Sequence, residues 1–96
     1  MLTSNEILAI LRKNLPRLTA LGVRRIGLSG SASRDEAQIG SDLDFVVELS
    51  PKTFDAYMDL KFFLEELFGT AVDLVLLGSI KPRLRDRILA ETLCAA

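Results

Sequence analysis

Three aspartates and one Gly-Ser pair carry the chemistry that this sequence offers. The stretch from Ile26 to Leu49 reads IGLSGSASRDEAQIGSDLDFVVEL. An apolar run ends at Gly30-Ser31, a polar excursion follows, and Gly40-Ser41 turns the chain into a second apolar run holding Asp42 and Asp44. Side chains of a strand alternate between its faces. Leu43, Phe45, Val47 and Leu49 then share one face, and Asp42, Asp44, Val46 and Glu48 the other. At about 3.3 Å per residue, Asp42 and Asp44 stand roughly 6–7 Å apart. Two carboxylates on one face beside a Gly-Ser turn are what a divalent cation and a polyphosphate need. Glycine after a strand lets backbone come close to a ligand. A short helix beginning near Ser31 would aim free N–H groups at an anion, and Arg34 stands one turn further in. The third aspartate, Asp73, interrupts the apolar run AVDLVLL. A buried strand carboxylate without a partner is costly, and a cation shared with Asp42 and Asp44 accounts for it.

What the chain lacks narrows the chemistry further. It has no histidine, which removes Ser-His-Asp and Cys-His catalysis and histidine zinc sites together. Its one cysteine, Cys94, excludes an internal disulfide and any cysteine-based zinc site. Catalysis must rest on carboxylates, hydroxyls, Arg or Lys, and a metal held by oxygen. A net charge of −1 provides no basic field for a nucleic-acid polymer. Apolar content of 49% and charged content of 26% match a globular protein, and 96 residues suit one domain, residues 1–96. No apolar run approaches the roughly 20 residues of a membrane helix. The start of the chain lacks a basic segment before an apolar run, so a cytoplasmic protein is the expectation.

The elements that would position these residues follow from periodicity and caps. Thr3 and Glu6 form a capping box ahead of a helical stripe of Ile7, Leu8, Ile10, Leu11 and Leu15. Pro16 ends that helix or starts a second one through Leu21, which Gly22 stops. Arg24 to Ser29 reads as the first strand and Asp42 to Leu49 as the second. Ser50-Pro51 opens a long helix with Phe54, Tyr57, Met58, Phe62, Leu64, Leu67 and Phe68 inward, and Gly69 ends it. Ala71 to Leu77 reads as a strand buried on both faces. The last helix is expected from Pro82 to Leu93, with Leu84, Ile88 and Leu89 inward. The order α-β-α-β-α-β-α predicts a small α/β fold with a three-stranded mixed sheet flanked by helices.

This constellation resembles the minimal nucleotidyltransferases of bacteria and archaea, within the superfamily of DNA polymerase beta. The resemblance lies in Gly30-Ser31, residues 32–41, Asp42-Leu43-Asp44, and Asp73 in VDLVLL. The flanks LPRLTALGVRRIGLSGS and VDLVLLGSIKPRLRDRILAE also look like family sequence, so the likeness covers about 90 residues. It implies metal-dependent transfer of a nucleoside monophosphate from an NTP, foremost ATP, to an acceptor hydroxyl. Carried over, Asp42, Asp44 and Asp73 are the catalytic carboxylates and the ligands of two Mg²⁺ ions. Gly30, Ser31, Arg34 and Ser41 hold the nucleotide. Proteins of this kind commonly pair with a HEPN-domain protein as antitoxin and toxin, which implies a protein acceptor and a hetero-oligomer, beside the option of a homo-oligomer. One departure matters. Asp35 stands where the family often has glycine, which puts a negative charge near the phosphate site. It motivates the rival reading, a catalytically weak or inactive antitoxin that acts on its partner by contact.

Overall fold

The alternation along residues 43–49 divides the molecule into two faces. The structure, a computed structural model, describes residues 2–36 and 42–95. In chain order it contains α1 (Ser4–Lys13), α2 (Leu15–Ala20), β1 (Val23–Ser29), the one-turn α3 (Gly30–Ser33), β2 (Leu43–Leu49), α4 (Phe54–Phe68), β3 (Val72–Leu76), a 3-10 turn (Leu77–Ser79), α5 (Pro82–Ala90) and β4 (Leu93–Cys94). The strands lie in the order β3-β2-β1-β4. β1 is antiparallel to β2 and to β4, and β3 is parallel to β2. No helix among the described residues is long and apolar enough to cross a membrane.

One face of the sheet makes the core. Phe45 and Val47 of β2, Ile26 and Leu28 of β1, and Val72 of β3 are almost wholly buried. They pack with Ile7 and Leu11 of α1, Leu18 of α2, and Leu60 and Leu64 of α4. Phe45 stacks on Phe68 with ring centroids 5.7 Å apart, a geometry that adds to simple area burial. The capping box at Thr3 and Glu6 forms as expected, α2 begins with proline in its first turn, and Gly69 ends α4 in the left-handed conformation.

Several expectations need correction. The sheet has four strands, not three. The last helix stops at Ala90, and Leu93 and Cys94 pair with Leu28 and Gly27 instead. Gly27 permits this, since a Cβ there would lie 2.5 Å from the Thr92 γ-methyl group. A two-residue strand is too short to show a period, and Cys94 on it is exposed. β3 is not buried on both faces. It is an edge strand, with Val72 and Leu74 inward and Asp73 and Val75 exposed. α4 starts at Phe54 rather than at Pro51. The Thr53 hydroxyl caps it by accepting the Ala56 N–H at 3.1 Å. On α4, Leu64 is buried and Tyr57, Leu67 and Phe68 pack against the core as expected, but Leu60 is buried too, whereas Phe54 and Phe62 are 76% and 58% exposed. On α5, Leu84 is exposed, while Ile88 and Leu89 are half-buried.

Phe45 joins the two halves of this core, so Phe45→Ala should lower the unfolding free energy by about 3–5 kcal/mol. Urea titration measures it; a loss below about 1 kcal/mol would contradict the packing described.

Candidate active site

Parallel pairing of β2 and β3 sets Asp44 directly beside Asp73. Strands in a sheet lie about 4.8 Å apart, and in-register neighbours project from the same face. That face is the one opposite Phe45 and Val47. On the other side of β2, Ser29 pairs with Asp44, and its hydroxyl donates to the Asp44 carbonyl at 3.4 Å. The end of β1 therefore delivers Gly30 and Ser31 against the Asp44 carboxylate. Asp42, exposed, sits one residue before β2.

Gly30 is required by this approach. Its φ is +68°, and a Cβ there would lie 2.4 Å from Asp44 Oδ2. The chain then winds through α3, with Ala32 buried. The Ser33 hydroxyl donates back to the Gly30 carbonyl at 2.7 Å.

Electrostatics mark the pair as unbalanced. The Asp44 carboxyl is held above the usual carboxylate range, first by burial, then by the negative charge of Asp73, then by that of Asp42. Among the described residues, no lysine or arginine stands within ion-pair distance of these three aspartates; Arg25 pairs with Glu48 and Arg34 with Glu36. Nor do three acidic side chains among the described residues close on one point as a metal cage would. The arrangement still fits a divalent cation. Two oxygen-donor side chains stand adjacent without a cationic partner, and Mg²⁺ takes few protein carboxylates, completing its octahedron with phosphate and water.

The proposed site residues divide accordingly. Asp44, Asp73, Gly30 and Ser31 gather at one end of the sheet, with Asp42 near them. Arg34 caps α3, and its Nε pairs with Glu36 at 3.3 Å on the surface. Ser41 lies outside the described residues, as does Gly40. Asp35 does not turn its charge on the Gly-Ser turn. Its carboxylate accepts from the Ser4 backbone N–H at 2.6 Å and from the Ser4 hydroxyl at 3.0 Å. Sequence reasoning missed this contact, because nothing in the local pattern links residue 35 to residue 4.

Comparison with known proteins agrees with this geometry. The family model described as nucleotidyltransferase domain matches residues 5–94. The protein adenylyltransferase MntA of Thermococcus cleftensis is 38% identical over 93 residues, which cover 95% of this chain and 94% of that protein. A solved candidate minimal nucleotidyltransferase superposes with a TM-score of 0.82 at 32% identity, covering 96% of this chain and 95% of the other. A chain from a solved complex, that of tri-AMPylated Shewanella oneidensis HEPN toxin with MNT antitoxin, superposes with a TM-score of 0.58 at 26% identity. That match covers 97% and 68% of the two chains.

Two outcomes follow from the crowding at Asp44. A carboxyl whose folded-state pKa is raised contributes stability only in its protonated form. That stability is present at low pH and lost as pH rises through the folded pKa. With EDTA present, Asp44→Asn should therefore melt about 1–5 °C above the parent at neutral pH, and the gain should vanish as pH falls through the carboxylate range. A constant gain at every pH would refute the charge argument. Gly30→Ala should cost about 1–3 kcal/mol in urea titration. Part of that cost should disappear in an Asp44→Ala background, where the clashing carboxylate is gone.

Proposed function

This chain belongs to the nucleotidyltransferase domain family, in its minimal branch, and on that footing we propose that it transfers AMP from ATP to a hydroxyl of a partner protein of the HEPN type. The single observation that carries the reading is the in-register Asp44–Asp73 pair facing Gly30. The adenylyltransferase named above supports AMP as the group moved, and the AMPylated HEPN complex supports a protein acceptor.

The residue roles follow from the chemistry of the pair. Asp44 and Asp73, with Asp42 beside them, would hold Mg²⁺, two ions in our reading. The cation would neutralise phosphate oxygens and the charge that builds on the leaving pyrophosphate. Gly30 and Ser31 present backbone N–H groups and a hydroxyl to the β- and γ-phosphates. Asp73 is the more exposed carboxylate and takes the proton from the acceptor hydroxyl. The acceptor oxygen bonds to the α-phosphorus, the bond from that phosphorus to the bridging oxygen breaks, and pyrophosphate leaves. Arg34 stays free of this scheme unless it leaves Glu36, and Ser41 keeps the nucleotide role that the family resemblance implies. The contact-only reading loses its main motive, since the Asp35 carboxylate is engaged by Ser4.

Parallel incubations with α-labelled and γ-labelled ATP, Mg²⁺ and a HEPN-type partner test the proposal. Label from the α position should appear on the partner, and label from the γ position should not. Asp44→Asn should lower transfer by at least about 100-fold with the protein still folded. Transfer that survives in Asp44→Asn would overturn the mechanism. A partner that co-purifies without ever taking label would favour action by contact.

A further inference from the structure

The hydrogen bonds around Asp35 describe more than a surface turn. α3 ends in a Schellman arrangement. The Glu36 N–H donates to the Ser31 carbonyl at 2.9 Å, and the Asp35 N–H donates to the Ala32 carbonyl at 3.2 Å. That motif requires a left-handed residue after the cap. Here the residue is Asp35, with φ +56°, where glycine would be free of strain. An aspartate tolerates this region better than most residues but still at a cost. Something must offset it.

The offset is at the far end of the carboxylate. Ser4 is the first residue of α1, and the opening N–H groups of a helix have no partner within it. The capping box serves two donors: Thr3 Oγ1 accepts from Glu6 N–H, and Glu6 Oε1 accepts from Thr3 N–H. The Ser4 N–H is left over, and Asp35 takes it, together with the Ser4 hydroxyl. Ser4 is only 6% exposed and is the one buried polar residue of the described core. Hydrogen bonds to a carboxylate are roughly twice as strong as neutral ones. The two partners stand 31 positions apart in sequence, so the contact ties two distant segments. Ser31, whose carbonyl also receives the Arg34 N–H, is the anchor point of the turn that Asp35 closes.

We infer that Asp35 is a positioning residue: its carboxylate straps the exit of the Gly30–Ser33 turn to the first turn of α1, and so holds Gly30 and Ser31 in place against Asp44. The strap itself needs no ligand. Its consequence for nucleotide binding rests on the function proposed above. A strap of this kind explains why a strained aspartate is kept where glycine would fit the backbone. It also predicts that glycine, though easier on the backbone, makes the turn looser.

The test uses the full chain with three variants, Asp35→Gly, Asp35→Asn and Ser4→Ala, each first shown to be folded by its melting curve. Backbone amide exchange at Ser4 and Glu36 reads the strap, and steady-state AMP transfer from ATP to a HEPN-type partner, with Mg²⁺, reads its effect. Asp35→Gly should quicken exchange at both amides and raise KM for ATP about 10-fold with kcat within about twofold. Asp35→Asn, whose Oδ1 still accepts from Ser4, should restore most of both. Ser4→Ala, which keeps the backbone donor, should fall between. Exchange that quickens while KM stays unchanged would make Asp35 a cap of α1 alone and overturn the positioning role. Unchanged exchange in Asp35→Gly would overturn the strap outright. If the parent protein transfers no AMP to the partner, the proposed function fails, and the exchange data still decide the strap.

Discussion

Apolar packing on one face of the sheet holds a like-charge contact on the other. Asp44 and Asp73 are neighbours because β2 and β3 run parallel and in register, and parallel strands need a crossover between them. α4 is that crossover. It closes because Leu60 and Leu64 bury against the core face of the same strands. The aspartates therefore come together as a by-product of apolar packing on the opposite side of the sheet. With both carboxylates charged, the contact is unfavourable, since burial and mutual repulsion both raise the Asp44 pKa. A pair that costs stability and is held by the whole core fits a site whose favourable partner is a cation and a polyphosphate.

The two faces of the sheet are consequently unequal. The inner face is closed by α1, α2 and α4 around Phe45. The outer face is covered only in part: Leu89 and Thr92 share a small cleft with Gly27 and Val46. Asp73 and Val75 on the edge strand remain exposed. This asymmetry leaves the edge of the sheet at Asp73 open to solvent. One core face stabilises the sheet, and the other face is left for chemistry.

Legibility in the sequence followed the range of each interaction. Period-two alternation over residues 43–49 separated Phe45 and Val47 from Asp44, because that strand has one buried face to enforce it. The capping box and the stop at Gly69 were readable because both are local. The rotation of α4 was not. Its sequence offers apolar residues at 54, 57, 58, 60, 62, 63, 64, 67 and 68, so several helical faces satisfy a 3.6-residue period, and only contact with β2 and β3 selects Leu60 and Leu64. β3 read as doubly buried because edge position is a property of the sheet and not of five residues. β4 pairs over two residues, below any period. Asp35 was legible as an oddity in its pattern, but its partner Ser4 lies across the fold, so its role was hidden.

Several departures from local rules gather in one region. Among the described residues, Gly30 meets a carboxylate at a distance no side chain would permit, and Asp35 occupies left-handed backbone. Asp44 and Asp73 set like charges side by side. All of these belong to one end of the sheet and the turn that leaves it. Much of the remaining chain follows local rules: capping side chains at α1 and α4, alternating strands, and a core of leucine, isoleucine, valine and phenylalanine. Strain and repulsion persist only where the surrounding structure over-determines them. The core face supplies that over-determination for the aspartates, and α1 supplies it for the turn through Ser4. Helix α1 is thus more than a cover for the sheet. Its apolar side, through Ile7 and Leu11, packs into the core on the face of the sheet opposite Asp44, and its first residue meets the Asp35 carboxylate. One helix thereby links the core to the turn that leaves β1.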